Sequence, residues 1–399
     1  MRLLFLTETI PYPLDSGGRI KTYNTLKVLS SEHEVHCHAL VRDRERLRFE
    51  PELRSVAATV TLHPLERSWS HEISCAALAQ ATGAPFLVVR HFHRHVFEQL
   101  RTACRGATFD AVYCDHLSML EYGRRLDLPI VLDAHNVEFE IVRRHAATLG
   151  VSLWRLFAEL EWRRLERYER KWYPTCRLIF SVSTVDGREI RGLAGRDVPI
   201  VDVPIAVEAA TLSVGPVPAG TKILFVGGLH WPPNADAVNF FIQEIFPIIR
   251  ETVSDATFTV VGRNAERVAR GMSEVPGVTF VGHVDDVEPY FRSSRVMVVP
   301  IRAGSGMRVK ILDSMGRGVP TVATTVGCEG IAVVSGVHLL VEDDPRGFAA
   351  TVVRVLCDDS LANSLSKSGR ELVLRSYDVA AIRVRVLQAL NQAVTPMPL

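Results

Sequence analysis

The sequence predicts an α/β protein made of two doubly wound, Rossmann-like domains. Short apolar runs of strand length alternate with longer amphipathic stretches along the chain, an order typical of parallel sheets covered by helices on both faces. The length of 399 residues is too great for one domain, since about 150 residues per domain is usual. The segment Val207–Gly220, which is rich in small residues and prolines, interrupts this alternation near the middle of the chain.

The predicted strands are apolar runs of a length that suits buried parallel strands. In the first half of the chain they are Leu3–Thr7, Val35–Leu40, Ala58–Leu62, Ala111–Cys114, Ile130–Asp133, Leu178–Ser183 and Val198–Val203. In the second half they are Ile223–Gly227, Phe258–Gly262, Val278–Gly282, Val296–Ile301, Thr321–Thr325 and Leu339–Glu342. The helices predicted between them are Arg19–Ser31, Ser118–Leu126, Val137–Trp172, Asn234–Ile249, Val287–Ser293, Arg308–Arg317 and Pro345–Leu356. Asn234 is predicted to be the N-cap of its helix.

The two halves have the same organisation. Residues 1–206 are predicted as the first domain, residues 207–220 as a linker and residues 221–378 as the second domain. Because doubly wound sheets bind ligands at the carboxyl ends of their strands, we expect the domains to face each other across a ligand cleft. The C-terminal segment 379–399 contains a helical pattern, Ala380–Val394, that is predicted to cross back to the first domain.

Composition narrows the class of protein. A net charge of +1 gives no electrostatic case for a nucleic-acid partner. The seven cysteines are scattered and form no Cys-x-x-Cys pair, which favours a reduced compartment. The apolar start of the chain, Leu3–Thr7, is too short for a signal peptide, and the chain contains no apolar stretch of about 18 residues, the length of a membrane span. We therefore expect a cytoplasmic protein.

The clearest candidate site follows the predicted strand Val296–Ile301. A glycine-rich turn there leads directly into a helix, so unpaired backbone N–H groups and the positive end of the helix dipole come together. Such a place binds phosphate groups. The residues predicted to line this phosphate site are Gly304, Ser305, Gly306, Met307 and Val309.

Charged side chains extend the same site. Arg308 and Lys310 add positive charge to the first turn of the helix, and the carboxylate of Asp313 follows within two turns. A phosphate site with a carboxylate nearby suits a nucleotide, whose ribose hydroxyls the carboxylate can bind.

Three further loops lie at the ends of predicted strands. Gly17 and Gly18 follow the first strand and permit close approach of the backbone to a ligand, although they do not form a G-x-G-x-x-G motif. His135 lies at the end of the strand that begins at Ile130, where an imidazole can bind a sugar hydroxyl or a phosphate, or act as an acid or base. The alternative is that this segment caps the next helix, with Asn136 as the N-cap. Arg263 follows another strand, within reach of a base or phosphate.

Metal binding is not predicted. His91, His93 and His95 alternate as on one face of a strand, but no cluster of carboxylates or cysteines supports a metal site there. The chain also lacks an Asp-x-Asp pair, a common ligand pair for a nucleotide-bound divalent ion.

The segment Trp154–Trp172 is rich in arginine and aromatic residues. A helix of this composition can lie on an anionic membrane surface. Glutamates interleave with the arginines at helical pair spacing, which favours a solvated amphipathic helix. Both interpretations remain open from the sequence, and the first would place the protein at the inner face of the membrane.

Several short motifs together resemble a known family. Phe225–Gly228, Val260–Gly262 and Phe280–Gly282 each end a predicted strand with glycine, and Gly318–Thr324 is similar to a G-x-P-V-(I/V)-A-T run. With Gly-Ser-Gly-x-Arg-x-Lys before the helix, the chain resembles retaining glycosyltransferases of the GT-B fold, the large family-4-like group called glycosyl transferases group 1. The resemblance covers nearly the whole chain and is strongest in the second half.

The resemblance implies a function and assigns roles. The first domain would hold the acceptor, which could be a sugar, a lipid-linked or a small-molecule hydroxyl, and the second would bind a nucleotide diphosphate sugar. Sugar transfer would retain the anomeric configuration without cofactor or metal, in polysaccharide or glycolipid biosynthesis. His135, Arg308 and Lys310 would be catalytic, and Asp313 would hold the ribose. Ser305 stands where many members carry glutamate.

Two other readings of the same fold remain. Sugar-nucleotide epimerases and phosphorylases share this architecture. A domain that binds a nucleotide without catalysis is the third reading, and the serine at position 305 is the residue that suggests it.

Overall fold

The computed structural model describes residues 1–14, 16–65, 68–195, 197–265, 275–303 and 306–394. The chain divides into two compact units, one formed by Met1–Ala206 with the residues from Ile382 onward, and the other by Val207–Ala381. Gly304 and Ser305 of the predicted phosphate site lie outside the described residues.

The first unit is built on a parallel sheet. Its strands are β1 (Arg2–Thr7), β2 (Glu34–Val41), β3 (Thr59–Pro64), β4 (Ala111–Asp115), β5 (Ile130–Ala134), β6 (Leu178–Ser181) and β7 (Ile200–Asp202). Over the described part of the unit their spatial order is β3-β2-β1-β4-β5-β6-β7, and all neighbours are parallel. Every residue of β4 and β5 is buried, as expected for central strands covered on both faces.

Helices cover this sheet. They are α1 (Gly17–Ser30), α2 (Glu50–Arg54), α3 (Trp69–Thr82), α4 (Phe86–His91), α5 (Arg94–Gly106), α6 (Leu117–Gly123), α7 (Glu138–Thr148), α8 (Leu153–Trp172) and α9 (Thr184–Ala194). The prediction of one helix over Val137–Trp172 is wrong, because the chain breaks between α7 and α8. Ser152 is the N-cap of α8, and its hydroxyl accepts a hydrogen bond from the backbone N–H of Arg155 (3.2 Å).

The second unit repeats the arrangement. Its strands are β8 (Lys222–Val226), β9 (Thr257–Val261), β10 (Val278–Val281), β11 (Val296–Val299), β12 (Thr321–Ala323) and β13 (Leu340–Val341). Their order in the described residues is β10-β9-β8-β11-β12-β13. Counted within each unit, the first six strands of both sheets follow the Rossmann order 3-2-1-4-5-6. The predicted α/β class with two doubly wound, Rossmann-like domains is confirmed.

The helices of the second unit are α10 (Pro232–Phe240), α11 (Phe246–Thr252), α12 (Glu288–Ser293), α13 (Val309–Gly316), α14 (Pro345–Cys357) and α15 (Asp359–Ser376). Phe241–Ile245 forms a π-helical turn that joins α10 to α11. Trp231 occupies the N-cap position of α10 and a proline follows it, so the prediction that Asn234 caps this helix is wrong. Asn234 lies inside α10, and its side chain is free to bind elsewhere.

The segment predicted as a linker begins in contact with the second unit. Val207 forms an isolated parallel bridge with Asp378, and Ala209 is fully buried. Most of the last helix, α16 (Val379–Val394), belongs to the first unit, where Arg177 donates a hydrogen bond to the backbone carbonyl oxygen of Ala393 (2.6 Å).

No described helix combines the length and apolar character that crossing a bilayer requires.

Candidate functional site

A buried carboxylate lies at the carboxyl edge of the first sheet. Asp115 ends β4 and is fully buried. Its oxygens accept hydrogen bonds from the hydroxyls of Thr7 (2.8 Å) and Thr22 (2.9 Å) and from Nε2 of His135 (2.8 Å). Thr7 ends β1 and His135 follows β5, so the parallel strands bring these residues to one edge.

His116 completes this group, which we call the Asp115 cluster (Thr7, Thr22, Asp115, His116 and His135). Its Nδ1 lies 3.1 Å from Oδ2 of Asp115, and its ring centroid lies 3.7 Å from that of His135. The backbone of His116 has φ 79° and ψ 155°, a combination that is essentially restricted to glycine and costs about 1–3 kcal/mol. The strain is retained because the side chain is held between a carboxylate and a second imidazole.

The two imidazoles of the cluster differ in charge. Burial opposes protonation of His116, but the carboxylates of Asp115 and Glu8 outweigh it and raise the pKa of His116 to about 10. Burial, followed by the positive charge of His116, lowers the pKa of His135. Burial also opposes the charge of Asp115, yet the two histidines hold its pKa well below the ordinary value. At neutral pH the cluster therefore holds an imidazolium, a carboxylate and a neutral imidazole.

The tautomer of His135 follows from this charge distribution. An ionised carboxylate only accepts hydrogen bonds, so Nε2 of His135 must carry the proton that it donates to Asp115. In the neutral ring, Nδ1 is then an acceptor. A Cβ atom on Gly18 would lie 3.9 Å from this Nδ1, which places the first turn of α1 beside it. The structure therefore brings two predicted residues, Gly18 and His135, together, with Gly17 as the first residue of α1.

A second buried carboxylate supports the cluster. Asp133, at the end of β5, forms an ion pair with Lys21 (2.5 Å) and accepts a hydrogen bond from the hydroxyl of Tyr113 (2.8 Å). Lys21 and Asp133 are almost completely buried. This pair connects α1 to β5, the strand that His135 directly follows.

Replacing Lys21 by methionine should destabilise the first unit by about 3–5 kcal/mol, because the carboxylate of Asp133 would remain buried without a cation. The free energy of unfolding is measured by urea titration, and hydrogen exchange of peptides from β4 and β5 reports the stability of the first unit. Arg54→Met is the control, since Arg54 pairs with Glu50 at the surface, where the loss should stay within about 0.5 kcal/mol. Equal effects of both variants would contradict the prediction.

One group of side chains in the first unit has donor atoms of the kinds that bind metal ions. Among the described residues, Asp115, His116 and His135 are the group whose donor atoms lie close enough, within 4.8 Å, to hold an ion together. The oxygens of Asp115 are already occupied by the histidine and threonine donors.

The predicted cations of the second unit converge at the start of α13. Arg308 occupies the N-cap position, is buried, and donates to the carbonyl oxygen of Gly306. Its guanidinium lies 5.5 Å from the ring centroid of Trp231. Gly306 has φ 83°, the left-handed conformation that glycine adopts without strain. Met307 is buried beside them.

Lys310 points from the first turn of α13 to the loop after β8. Its Nζ donates to Oδ1 of Asn234 (2.8 Å), whose Nδ2 donates to the carbonyl oxygen of Gly228 (2.9 Å). A Cβ atom on Gly227 would lie 2.5 Å from Nζ, so glycine makes room for the ammonium. Desolvation, followed by the charge of Arg308, lowers the pKa of Lys310 to about 7.

The loops after β8 and β9 are packed against each other. A Cβ atom on Gly262 would lie 2.1 Å from the carbonyl oxygen of Gly227, and Gly262 has φ 152°. The next residue, Arg263, accepts a backbone hydrogen bond from Leu229 (2.8 Å). This packing places Arg263 at the same sheet edge as Lys310.

Asp313 lies one turn after Lys310. Its carboxylate forms an ion pair with Arg317, which also pairs with Glu288 (2.9 Å). The Asp313 side chain is 32% exposed. Burial, opposed by the charge of Arg317, raises the pKa of its carboxyl group. Val309, the last of the residues predicted to line the phosphate site, is the first residue of α13.

Comparison with known proteins identifies the second unit. Residues 220–358 match the family described as Glycosyl transferases group 1. This segment is a glycosyl transferases group 1 domain. A Klebsiella pneumoniae protein, described as an uncharacterized 44.6 kDa protein in the cps region, is 19% identical over 166 residues, which span 39% of this chain and 42% of that protein.

Solved structures resemble the chain over almost its whole length. Anabaena HepE in complex with UDP and glucose is 14% identical with a TM-score of 0.64, covering 98% of this chain and 100% of that one. Sucrose-phosphate synthase from Thermosynechococcus elongatus is 14% identical with a TM-score of 0.70, covering 98% and 99%. HepE in complex with UDP-glucose is 13% identical with a TM-score of 0.65, covering 98% of this chain and 100% of that one. The fold is that of GT-B proteins, as predicted.

Sequence reasoning missed several residues of the site. Asp115 and His116 follow directly after the predicted strand Ala111–Cys114, and a polar pair at a strand end is the signal that could have found them. Asn234 was assigned to capping, yet in the glycosyl transferases group 1 domain its amide bridges Lys310 and Gly228.

Proposed function

We propose that this protein transfers a sugar from a nucleotide diphosphate sugar to an acceptor hydroxyl, with retention of anomeric configuration. The observation that carries the proposal is the pair Arg308 and Lys310 at the first turn of α13, inside a glycosyl transferases group 1 domain. Two cations and a helix N-terminus together suit a diphosphate. The solved structures of HepE with UDP and UDP-glucose make UDP-glucose the first donor to test.

In the proposed reaction, the bond between the anomeric carbon and the diphosphate oxygen breaks. The acceptor oxygen bonds to the same face of that carbon, and its proton passes to the leaving phosphate. Arg308, Lys310 and the backbone N–H groups of residues 306–309 would stabilise the negative charge that develops on the diphosphate. The predicted contacts of Gly304 and Ser305 stay predictions.

The remaining residues would position the donor. Asp313 would bind the ribose hydroxyls, and Arg263 would lie near the base or phosphate. His135 would accept a hydrogen bond from a hydroxyl of the donor sugar at its unprotonated Nδ1, and Gly17 and Gly18 would let α1 approach the ligand. In this proposal the reaction needs no metal, because Arg308 and Lys310 would neutralise the charge of the phosphates.

We further propose a cytoplasmic role in glycan or glycolipid biosynthesis. Candidate acceptors are a free sugar, a small molecule and a lipid-linked hydroxyl.

The first experiment compares nucleoside diphosphates by thermal shift. A ligand at one hundred times its dissociation constant adds about 2.7 kcal/mol to the stability of the folded state. UDP-glucose is then incubated with an acceptor panel, UDP release is measured, and NMR gives the anomeric configuration of the product. An altered sugar nucleotide without acceptor would indicate an epimerase. Nucleotide binding without turnover would indicate a binding domain, and the absence of binding would overturn the proposal.

The Gly227→Ala variant tests the position of Lys310. Its new methyl group would lie 2.5 Å from Nζ of Lys310 and 3.0 Å from Nδ2 of Asn234. Because Nζ ends a flexible side chain, the fold should survive while the ammonium is displaced. We expect UDP affinity to fall at least about tenfold, since a hydrogen bond to a charged group is worth about 1.5–3 kcal/mol.

Isothermal titration calorimetry measures this change. Gly215→Ala is the matched control, because nothing lies within 4 Å of a Cβ atom there. Unchanged affinity in Gly227→Ala would show that Lys310 does not contact the nucleotide.

A further inference from the structure

A large cavity lies within the first unit, bounded by helices α3, α4, α6 and α8. Its volume is about 680 Å³, within the usual range of small-molecule sites, about 300–1,000 Å³. None of the residues of the Asp115 cluster lines it. The sugar-transfer chemistry proposed above therefore does not account for this cavity.

One wall of the cavity is apolar. It is formed by Leu78 of α3, by Val88 and Val89 of α4, and by Phe92 just after α4. Leu78 is 52% exposed, although leucine side chains are usually buried in a folded domain. The wall therefore offers apolar surface that the chain itself does not cover.

The rest of the lining carries an excess of positive charge. Glu121 is the one carboxylate in the described lining, and it is fully used: it pairs with Arg124 and Arg125 and accepts from the hydroxyl of Tyr168 (2.7 Å). These contacts hold the pKa of Glu121 below its ordinary value, although burial acts in the opposite direction. Glu121 therefore neutralises none of the remaining cations.

Three further cations project from α8 into the lining: Arg164, Arg167 and Lys171. Within the described residues, none of them has a carboxylate in ion-pair distance. Arg164 is only 8% exposed; its Nη2 donates to Oε1 of Gln80 (2.6 Å), and its Nη1 makes no hydrogen bond to the described part of the chain. Glu161, on the preceding turn of α8, interacts with Arg164 at longer range but forms no ion pair with it. The guanidinium therefore lacks a direct counter-ion, and this part of the lining favours an anion.

We propose that this cavity binds an amphiphilic anion, a molecule with an apolar chain and a phosphate or carboxylate head. The chain would pack on Leu78, Val89 and Phe92, and the head would lie against Arg164 and the two exposed cations of α8. Neither part alone explains the cavity, since an apolar ligand would leave the cations unpaired and a free phosphate would leave the apolar wall uncovered. The inference does not rest on the proposed sugar transfer.

Calorimetry with three probes tests the two requirements separately. Dodecyl phosphate, below its micelle concentration, carries both parts; dodecyl glucoside has the chain without charge, and inorganic phosphate has the charge without chain. We expect dodecyl phosphate to bind at least tenfold more tightly than either, with an affinity that falls as salt is added. Equal binding of dodecyl phosphate and dodecyl glucoside, or no binding, would overturn the proposal.

Variants locate the site. The double variant Arg167→Glu, Lys171→Glu should lose at least tenfold in affinity, and Leu78→Asn, which removes apolar surface without adding a charge, should also lose affinity. Arg170→Glu is the matched control: Arg170 lies on the same helix, pairs with Glu166 and does not line the cavity. Circular dichroism and thermal midpoints establish that each variant is folded. Unchanged binding in the folded double variant would overturn the proposal.

A vesicle arm separates the sources of such a ligand. Vesicles containing phosphatidic acid and phosphatidylcholine are sedimented with the wild type and with the double variant. Loss of co-sedimentation in the double variant, alongside loss of dodecyl phosphate binding, would support a lipid head in this cavity. Sedimentation with vesicles without any binding of dodecyl phosphate would overturn the cavity and indicate a surface contact.

Discussion

Replacing Lys310 by alanine is expected to reduce the rate of sugar transfer by about 10²–10³-fold, the usual effect of removing one preorganised donor from a developing negative charge. Asn234 holds Lys310 at the start of α13. A water molecule that filled the space left by its side chain would carry no positive charge. Arg308 lies beside Lys310, so the double variant with Arg308→Ala should also lose nucleotide binding.

The pKa of Lys310 adds a pH signature to this prediction. In the free protein its pKa is about 7, below the ordinary value of 10.5. A bound diphosphate favours the charged ammonium and raises this pKa, so binding takes up a proton above pH 7. Nucleotide affinity should therefore fall as pH rises above 7 in the wild type. In Lys310→Arg, where the side chain stays charged, it should not.

Calorimetry of UDP between pH 6 and 9 in two buffers of different ionisation enthalpy measures both affinity and proton uptake. Lys367→Ala, an exposed lysine on α15 in the same unit, is the matched control and should leave both unchanged. If transfer and UDP binding survive intact in the Lys310 and Arg308 double variant, the assignment of the phosphate site is wrong.

Every predicted strand has its counterpart in the described structure, and the reason is physical. Strands at the centre of a parallel sheet are covered on both faces, so their sequences are continuous apolar runs such as Val296–Val299. Such runs are visible without knowledge of partners. The strand order was not predicted, since short, right-handed crossovers limit the possible orders without selecting one of them.

The helices were harder to predict than the strands. In α3, Trp69 and Ile73 are 86% and 66% exposed. The apolar residues of this helix therefore do not all lie on its buried face, and their spacing in the sequence does not show a clear helical period. The break between α7 and α8 depends on Ser152 as an N-cap, a local hydrogen bond that the continuing amphipathic pattern conceals.

Some contacts of the candidate site could be predicted from the sequence and others could not. The position of Arg308 and Lys310 in the predicted phosphate site could be, because a strand, glycines, cations and a helix follow one another directly in the chain. The hydrogen-bond partners of Lys310 and His135 could not be predicted from local sequence. Asn234 lies 76 residues before Lys310, and Asp115 lies 20 residues before His135. Such contacts are set by strand order, not by local sequence.

His135→Ala is expected to slow sugar transfer by about 10²-fold or more, because a misplaced substrate loses that much rate even when it still binds. UDP affinity should remain near the wild-type value, since His135 is proposed to contact the sugar and not the nucleotide. His145→Ala, an exposed histidine on α7, is the control. Equal loss of UDP binding and transfer would contradict the proposed role.

A companion variant tests whether His116 keeps His135 neutral. His116→Gly removes the imidazolium while glycine accepts the backbone conformation of φ 79°. Loss of the positive charge beside His135 should raise the pKa of His135, so the acid limb of kcat/KM should move to higher pH. Histidine-selective NMR follows the same titration directly. A folded His116→Gly variant in which neither the NMR titration nor the acid limb moves would show that the burial of His135, and not the charge of His116, sets its protonation. In that case the strained backbone at His116 would serve only to pack the two rings together.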